Sequence, residues 1–239
     1  PRSTLFPYTT LFRSFPGLEI VNVCVTAQIT ANEIEEIVAL AKNYEVIISF
    51  PPVIYETEEK AYIPLIEHFC ALGLCNFQAD SFSMLEILSG NRQCNVYAGF
   101  WLSVLNRKSA ELLQNLGCKS VYASVEADEF VLEALDNTVS GKLEALVFAR
   151  LPLFISRVED EQFVDGAIFA DNIGTKIECR QLDGVSYFFS KEAYSLTGDD
   201  VNSREIRFDS LTADLRFSDV AIWKKLHAGY AVNGSIFNF

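Results

Sequence analysis

Seven polar residues stand where apolar strands of this chain are expected to end or hand over to helices: Gln78, Asp80, Asn106, Ser124, Glu126, Ser156 and Arg157. Their types suit one kind of site. An arginine such as Arg157 can hold a substrate carboxylate in a bidentate fork, and Glu126 or Asp80 can serve as acid or base in proton transfer. Gln78, Asn106, Ser124 and Ser156 are the hydrogen-bonding groups that would orient a substrate between them. Each also has a plainer role. Asn106 can cap a helix, Glu126 can open the next one where negative charge suits the helix dipole, and Arg157 can pair with Glu126. His68 and His227 fall within expected helices, far from any Ser, Cys or Asp motif, so a nucleophilic triad is not expected. The chain has no HExxH, phosphate-loop or GxSxG motif. Its six cysteines (Cys24, Cys70, Cys75, Cys94, Cys118 and Cys179) contain no CxxC and lie mostly in apolar stretches. They read as buried free thiols in a reduced, cytoplasmic setting, with no metal site.

Composition narrows the class of partner. Half of the 239 residues are apolar, which excludes a disordered chain. The formal net charge of −13 argues against unaided binding to nucleic acid or to an anionic membrane surface. Residues 1–14 look like the translation of a DNA-sequencing adapter and are set aside as an artefact rather than native sequence. Without them 225 residues remain, and the loss of Arg2 and Arg13 takes the net charge to −15. The last residues, Ile236-Phe-Asn-Phe239, bring no polar tail, so the chain is read as a fragment truncated from a longer product.

The elements that must position these side chains follow from periodicity. Stretches 18–27 and 45–50 are β-branched and apolar and read as strands. Between them Thr30 and Glu33 fit a capping box, followed by Ile34, Ile37, Val38 and Ala41 on one helical stripe. A helix over 57–72 contains Pro64 and ends at Gly73. A strand at 76–80, a helix at 81–88 and a strand at 95–100 come next. A helix capped by Asn106 follows, with Leu112, Leu113 and Leu116 expected inward and Gly117 at its end. Then come a strand at 120–124, a helix at 127–135 and a strand at 143–148. Ala71-Leu-Gly-Leu-Cys-Asn-Phe-Gln-Ala79 and Asn115-Leu-Gly-Cys-Lys-Ser-Val-Tyr-Ala123 repeat one helix–glycine–strand turn. Six strands alternating with helices imply a parallel α/β sheet. With no glycine-rich phosphate turn after any strand, an incomplete (β/α) TIM-like barrel fits better than a doubly wound sheet. The barrel is placed at 15–157. A small α+β region is placed at 158–239: a hairpin of 176–181 and 185–190 about Asp183-Gly184, a strand at 205–208 and a helix at 218–227.

Several segments, taken in order, resemble a known family. They are Asn95-Val-Tyr-Ala-Gly-Phe-Trp-Leu-Ser-Val-Leu-Asn106, Leu116-Gly117, Val121-Tyr-Ala-Ser-Val-Glu126 and Leu143-Glu-Ala-Leu-Val-Phe-Ala-Arg-Leu-Pro-Leu-Phe-Ile-Ser-Arg157. The hairpin around Leu182-Asp-Gly184 and the Leu215-Arg-Phe217 segment stand in matching places. Together they resemble the collagenase-like peptidases of family U-32, over roughly 45–239. The resemblance implies a barrel with an extra C-terminal region and, as activity, proteolysis of unassigned mechanism. Some relatives instead look like partners in oxygen-independent hydroxylation, with a four-iron cluster held by cysteines. The first such cysteine would directly follow Ser156-Arg157, where this chain has Val158, so the cluster is expected to be absent. A second departure is Ser103, where many relatives would have Asn. Two functions are therefore expected: a peptidase acting near Arg157 on a peptide or small molecule, or a cluster-less, non-catalytic paralogue that serves as binding or scaffold partner to a protein of the same family.

Overall fold

The structure is a computed structural model that describes residues 19–182, 184–190, 192–196, 207–218, 222 and 234–235. The segment read as an adapter artefact and nearly all of the helix expected at 218–227 lie outside these residues. By contacts the chain divides into two units, Pro1–Ala145 with Ile206–Ser210, and Leu146–Glu205 with Leu211–Phe239.

The first unit alternates strand and helix. Its elements are β1 (Ile20–Cys24), α1 (Ala31–Leu40), β2 (Glu45–Ser49), α2 (Glu56–Ala71), β3 (Asn76–Ala79), α3 (Phe82–Ser89), β4 (Asn95–Ala98), α4 (Arg107–Asn115), β5 (Ser120–Tyr122), α5 (Glu129–Asp136) and the first half of β6 (Lys142–Ala149). The strands pair in sequence order, β1-β2-β3-β4-β5-β6, and every pairing is parallel. Sequential order means that each crossover advances the same way, which lays the helices on one face as in a barrel segment. A doubly wound sheet would reverse direction and cover both faces. Among the described residues the path is open, and a complete barrel is not formed.

Period-two alternation then sorts the side chains. Val21, Val23, Val46, Ile48, Phe77, Val96, Ala98, Val121 and Leu143 point one way and form a single core with Ile37, Ile66, Phe69, Leu88, Leu113, Leu132 and Leu135 from the helices. Each large side chain so buried contributes about 1.5–3 kcal/mol. The other face is polar. It carries Asn22, Ser49, Gln78, Tyr97, Tyr122 and Glu144, all buried except the exposed Asn22. Near the strand N-termini a row of hydrogen bonds crosses it. Lys119 Nζ donates to Asn95 Oδ1 (2.7 Å), Asn95 Nδ2 to Asn76 Oδ1 (2.8 Å) and Asn76 Nδ2 to Glu45 Oε1 (3.0 Å). Burial, the charges of Glu45 and Glu144 and a hydrogen bond to Glu45 together push the Tyr97 hydroxyl above its ordinary pKa.

Helix ends follow the local chemistry. The Thr30–Glu33 capping box forms, with Thr30 N donating to Glu33 Oε2 at 2.8 Å. Pro64 lies inside α2 on its exposed side, and Gly73 adopts φ +82° beyond its end. Two expectations change. Leu112 and Leu116 are exposed, whereas Leu113 is buried as expected, together with Ala110. The helix expected from residue 127 begins at Glu129, capped by Asp128, whose side chain accepts from Val131 N at 2.9 Å.

In the second unit β7 (Pro152–Ser156), β8 (Ile168–Ala170), β9 (Lys176–Leu182) and β10 (Val185–Ser190) form an antiparallel sheet in the order β7-β10-β9-β8. Pro152 thus opens an edge strand, a position where its missing N–H costs nothing. One face packs Tyr187 and Phe189 with Ile155, Leu182 and Phe217. Over it the Arg150 guanidinium lies 4.7 Å from the Phe189 ring centroid and donates to Glu178 Oε2 (2.8 Å) and to the Phe217 carbonyl (3.3 Å). The opposite face gathers Phe154, Phe163, Phe169 and Phe188, with Phe154 stacked on Phe188 at 4.2 Å. The far half of β6 pairs antiparallel with β11 (Ala193–Ser195), which pairs parallel with β13 (Gly234–Ser235). The strand expected at 205–208 is not formed at 207–208; strand β12 runs later, at Ser210–Ala213. No described helix is long and apolar enough to cross a membrane.

Candidate functional site

From the middle of β1 to the carboxyl ends of β2 and β3 the polar face condenses into one relay. Ser49 Oγ donates to Asn22 Oδ1 (2.6 Å), and Asn22 Nδ2 donates to Gln78 Oε1 (2.7 Å). Gln78 Nε2 in turn reaches both carboxylate oxygens of Asp80, at 3.1 and 3.0 Å. The parallel register explains the convergence, because Ser49 lies beside Cys24 on one side and beside Gln78 on the other. Asp80 follows immediately after β3 and is 3% exposed; a carboxylate so deep requires donors around it. A glycine makes room for it. A Cβ on Gly99, the residue after β4, would lie 1.9 Å from Asp80 Oδ1 and 2.7 Å from Gln78 Nε2.

The chain beyond Gly99 is tightly turned. Residues Phe100–Leu102 make one turn of 3-10 helix, and Ser103 follows in the left-handed region at φ 49°. The Phe100 ring lies tilted against Trp101 (5.2 Å) and meets Tyr122 edge-on (6.3 Å). The Trp101 indole nitrogen is buried and makes no hydrogen bond among the described residues.

Of the seven residues singled out by sequence, the structure brings Gln78 and Asp80 together. Asn106 is exposed and caps α4, accepting from Ser109 N at 2.9 Å. Ser124 is buried and its Oγ accepts from Glu126 N (3.2 Å), while Ala127 N closes a turn onto the Ser124 carbonyl (3.1 Å). Glu126 is therefore an exposed turn residue that precedes α5 rather than opening it. Ser156 and Arg157 belong to the second unit, where Ser156 ends β7 and its Oγ accepts from Val158 N (3.1 Å). Sequence reasoning passed over Asn22, Ser49 and Gly99. The available signal was Asn22, a lone amide inside the apolar strand Ile20–Cys24.

Chemically the relay runs from a hydroxyl through two carboxamides to a carboxylate, and it fixes the orientation of each amide. Asn22 is its exposed member. One Nδ2 hydrogen and one Oδ1 lone pair are spent inside the relay, so the side chain offers one further donor and one further acceptor to solvent. Among the described residues no group of three or more His, Cys, Asp or Glu is placed to hold a metal ion, and Cys179 is buried within β9.

A scan against protein-family models returned no match, and neither did a search of curated proteins. Among solved structures, that of the U32 peptidase Mk0906 is similar at 17% identity with a TM-score of 0.45, over 54% of this chain and 60% of that one. The match therefore spans less than two thirds of the length of that protein.

Proposed function

We propose that the parallel unit binds a peptide, or another small molecule bearing amide groups, at the carboxyl ends of β1 to β4. In this reading Asn22 is the contact residue, and Ser49, Gln78 and Asp80 hold it in place. The observation that supports the reading is the relay itself. An exposed carboxamide whose orientation is locked by a buried hydroxyl, amide and carboxylate presents a fixed donor–acceptor pair, which is the complement of a peptide group. The same reading places the chain with the collagenase-like U-32 peptidases that its motifs resemble, in a reduced, cytoplasmic setting and without an iron–sulfur cluster. It favours a binding or scaffold role beside a protein of that family. Among the described residues no hydroxyl or thiol nucleophile is paired with a histidine, and the Ser49 hydroxyl is committed to Asn22.

Isothermal titration with gelatin-derived peptides tests the binding role. The reading expects measurable heat with the native chain and at least tenfold weaker binding for Asn22→Leu, with circular dichroism unchanged. Equal affinity in the variant would remove Asn22 from the site. Hydrolysis, the activity that the resemblance implies, is read in the same samples by mass spectrometry. Cleavage that is lost in Asp80→Asn, Glu126→Ala or Arg157→Ala would replace the binding role with a catalytic one.

A further inference from the structure

Three of the six thiols meet in the first unit, at the opposite end of the strands from the relay. Cys70 lies in the last turn of α2, Cys75 just before β3 and Cys94 just before β4. Cys70 Sγ and Cys94 Sγ are 4.0 Å apart, and Cys75 Sγ lies 3.9 Å from the Cys70 carbonyl oxygen. All six cysteines are free, and these three are partly exposed. The backbone around them is tied down. Gly73 N donates to the Cys70 carbonyl (3.0 Å), Cys94 N to Asn91 O (3.0 Å) and Asn95 N to Cys75 O (2.7 Å). The two sulfurs, 4.0 Å apart, need to close by about 2 Å to reach bonding distance.

We propose that Cys70 and Cys94 are a redox-active pair that closes to a disulfide under two-electron oxidation by a peroxide. One thiol, as its thiolate, attacks a peroxide oxygen and becomes a sulfenic acid, with the other oxygen leaving as water. The second sulfur then attacks the sulfenic sulfur and displaces the remaining oxygen as a second water, so two thiols and one hydrogen peroxide give one disulfide and two waters. The product staples the end of α2 to the start of β4. Burial and the neighbouring sulfurs of Cys94 and Cys75 push the Cys70 thiol up to about 12, and burial also raises that of Cys94. Thiolate is therefore scarce at neutral pH, so oxidation is slow there and quickens as the pH rises.

The test uses the full chain, reduced and then treated with hydrogen peroxide, alkylated with N-ethylmaleimide and digested with trypsin. Cleavage at Arg92 separates Cys94 from Cys70 and Cys75. A bond to Cys94 therefore joins two peptides, whereas a Cys70–Cys75 bond stays within one. The expected result is a joined pair of peptides that persists in Cys75→Ser and disappears in Cys70→Ser. The oxidised protein should also melt about 5–10 °C higher than the reduced one. Full alkylation of Cys70 and Cys94 after peroxide, a joined pair that survives Cys70→Ser, or a bond confined to Cys70 and Cys75 would each overturn the assignment.

Discussion

At Gly99 the lack of a side chain is what allows a buried carboxylate to lie against the backbone of the neighbouring strand. Gly99→Ala would drive a methyl group into Asp80 Oδ1 and Gln78 Nε2. The relay must then open, and the expected cost is about 2–4 kcal/mol in urea unfolding. An unchanged midpoint would mean that Asp80 moves aside freely. Ser103 sits at φ 49° with a β-carbon that this region tolerates poorly, so Ser103→Gly should stabilise the fold by roughly 0.5–1 kcal/mol in the same assay. Gln78 and Asp80 were legible in sequence because a polar residue at the end of an apolar strand is conspicuous. Gly99 was not, because its requirement arises only when β3 and β4 lie side by side. Glu126 was read as a helix start because the Ser124 hydroxyl that claims its amide makes a local turn with no periodic signature.

The helices were legible wherever a cap and a stripe coincided. Thr30 and Glu33 announced α1, and their reciprocal bonds are present. Thr30→Ala should lower stability by about 1 kcal/mol, visible as a shifted thermal midpoint, and Thr30→Ser should restore most of it. In α4 three leucines suggested an inward face, but of these only Leu113 is buried, beside Ala110. Periodicity alone cannot choose between two overlapping apolar stripes. Pro152 is the first residue of β7, at an edge where no ladder partner for its nitrogen is needed.

Over the whole molecule, charge decides two further outcomes. With a net charge of −13, like-charge repulsion opposes compaction, so adding sodium chloride to about 0.5 M should raise the thermal midpoint. A fall would show that the ion pairs matter more. Acid should act on the second unit through Glu178. Burial alone would raise its pKa, but hydrogen bonds and charge from Arg150 and Arg180 more than offset this and hold the carboxyl below its usual range. A depressed folded-state pKa contributes stability that is present above the unfolded value and lost as pH falls through the folded one. The native chain should therefore lose stability below about pH 4.5 more steeply than Glu178→Gln, as read by calorimetry between pH 6 and pH 3. At this scale the strand–helix alternation exposed the parallel sheet, and the Asp183-Gly184 turn signal exposed the β9–β10 hairpin. The polar face was not legible, because its amides are scattered singly through strands that otherwise read as apolar.

The row from Lys119 through Asn95 and Asn76 to Glu45 has a direction. A cation at one end and a carboxylate at the other oblige both intervening carboxamides to face the same way, oxygen toward lysine and nitrogen toward glutamate. Reversing one end sets acceptor against acceptor or donor against donor somewhere along the row, whichever way the amides turn. Reversing both ends at once, as Lys119→Glu with Glu45→Lys, asks only that each amide rotate by half a turn. A row of four side chains thus stores one binary orientation, written by its terminal charges.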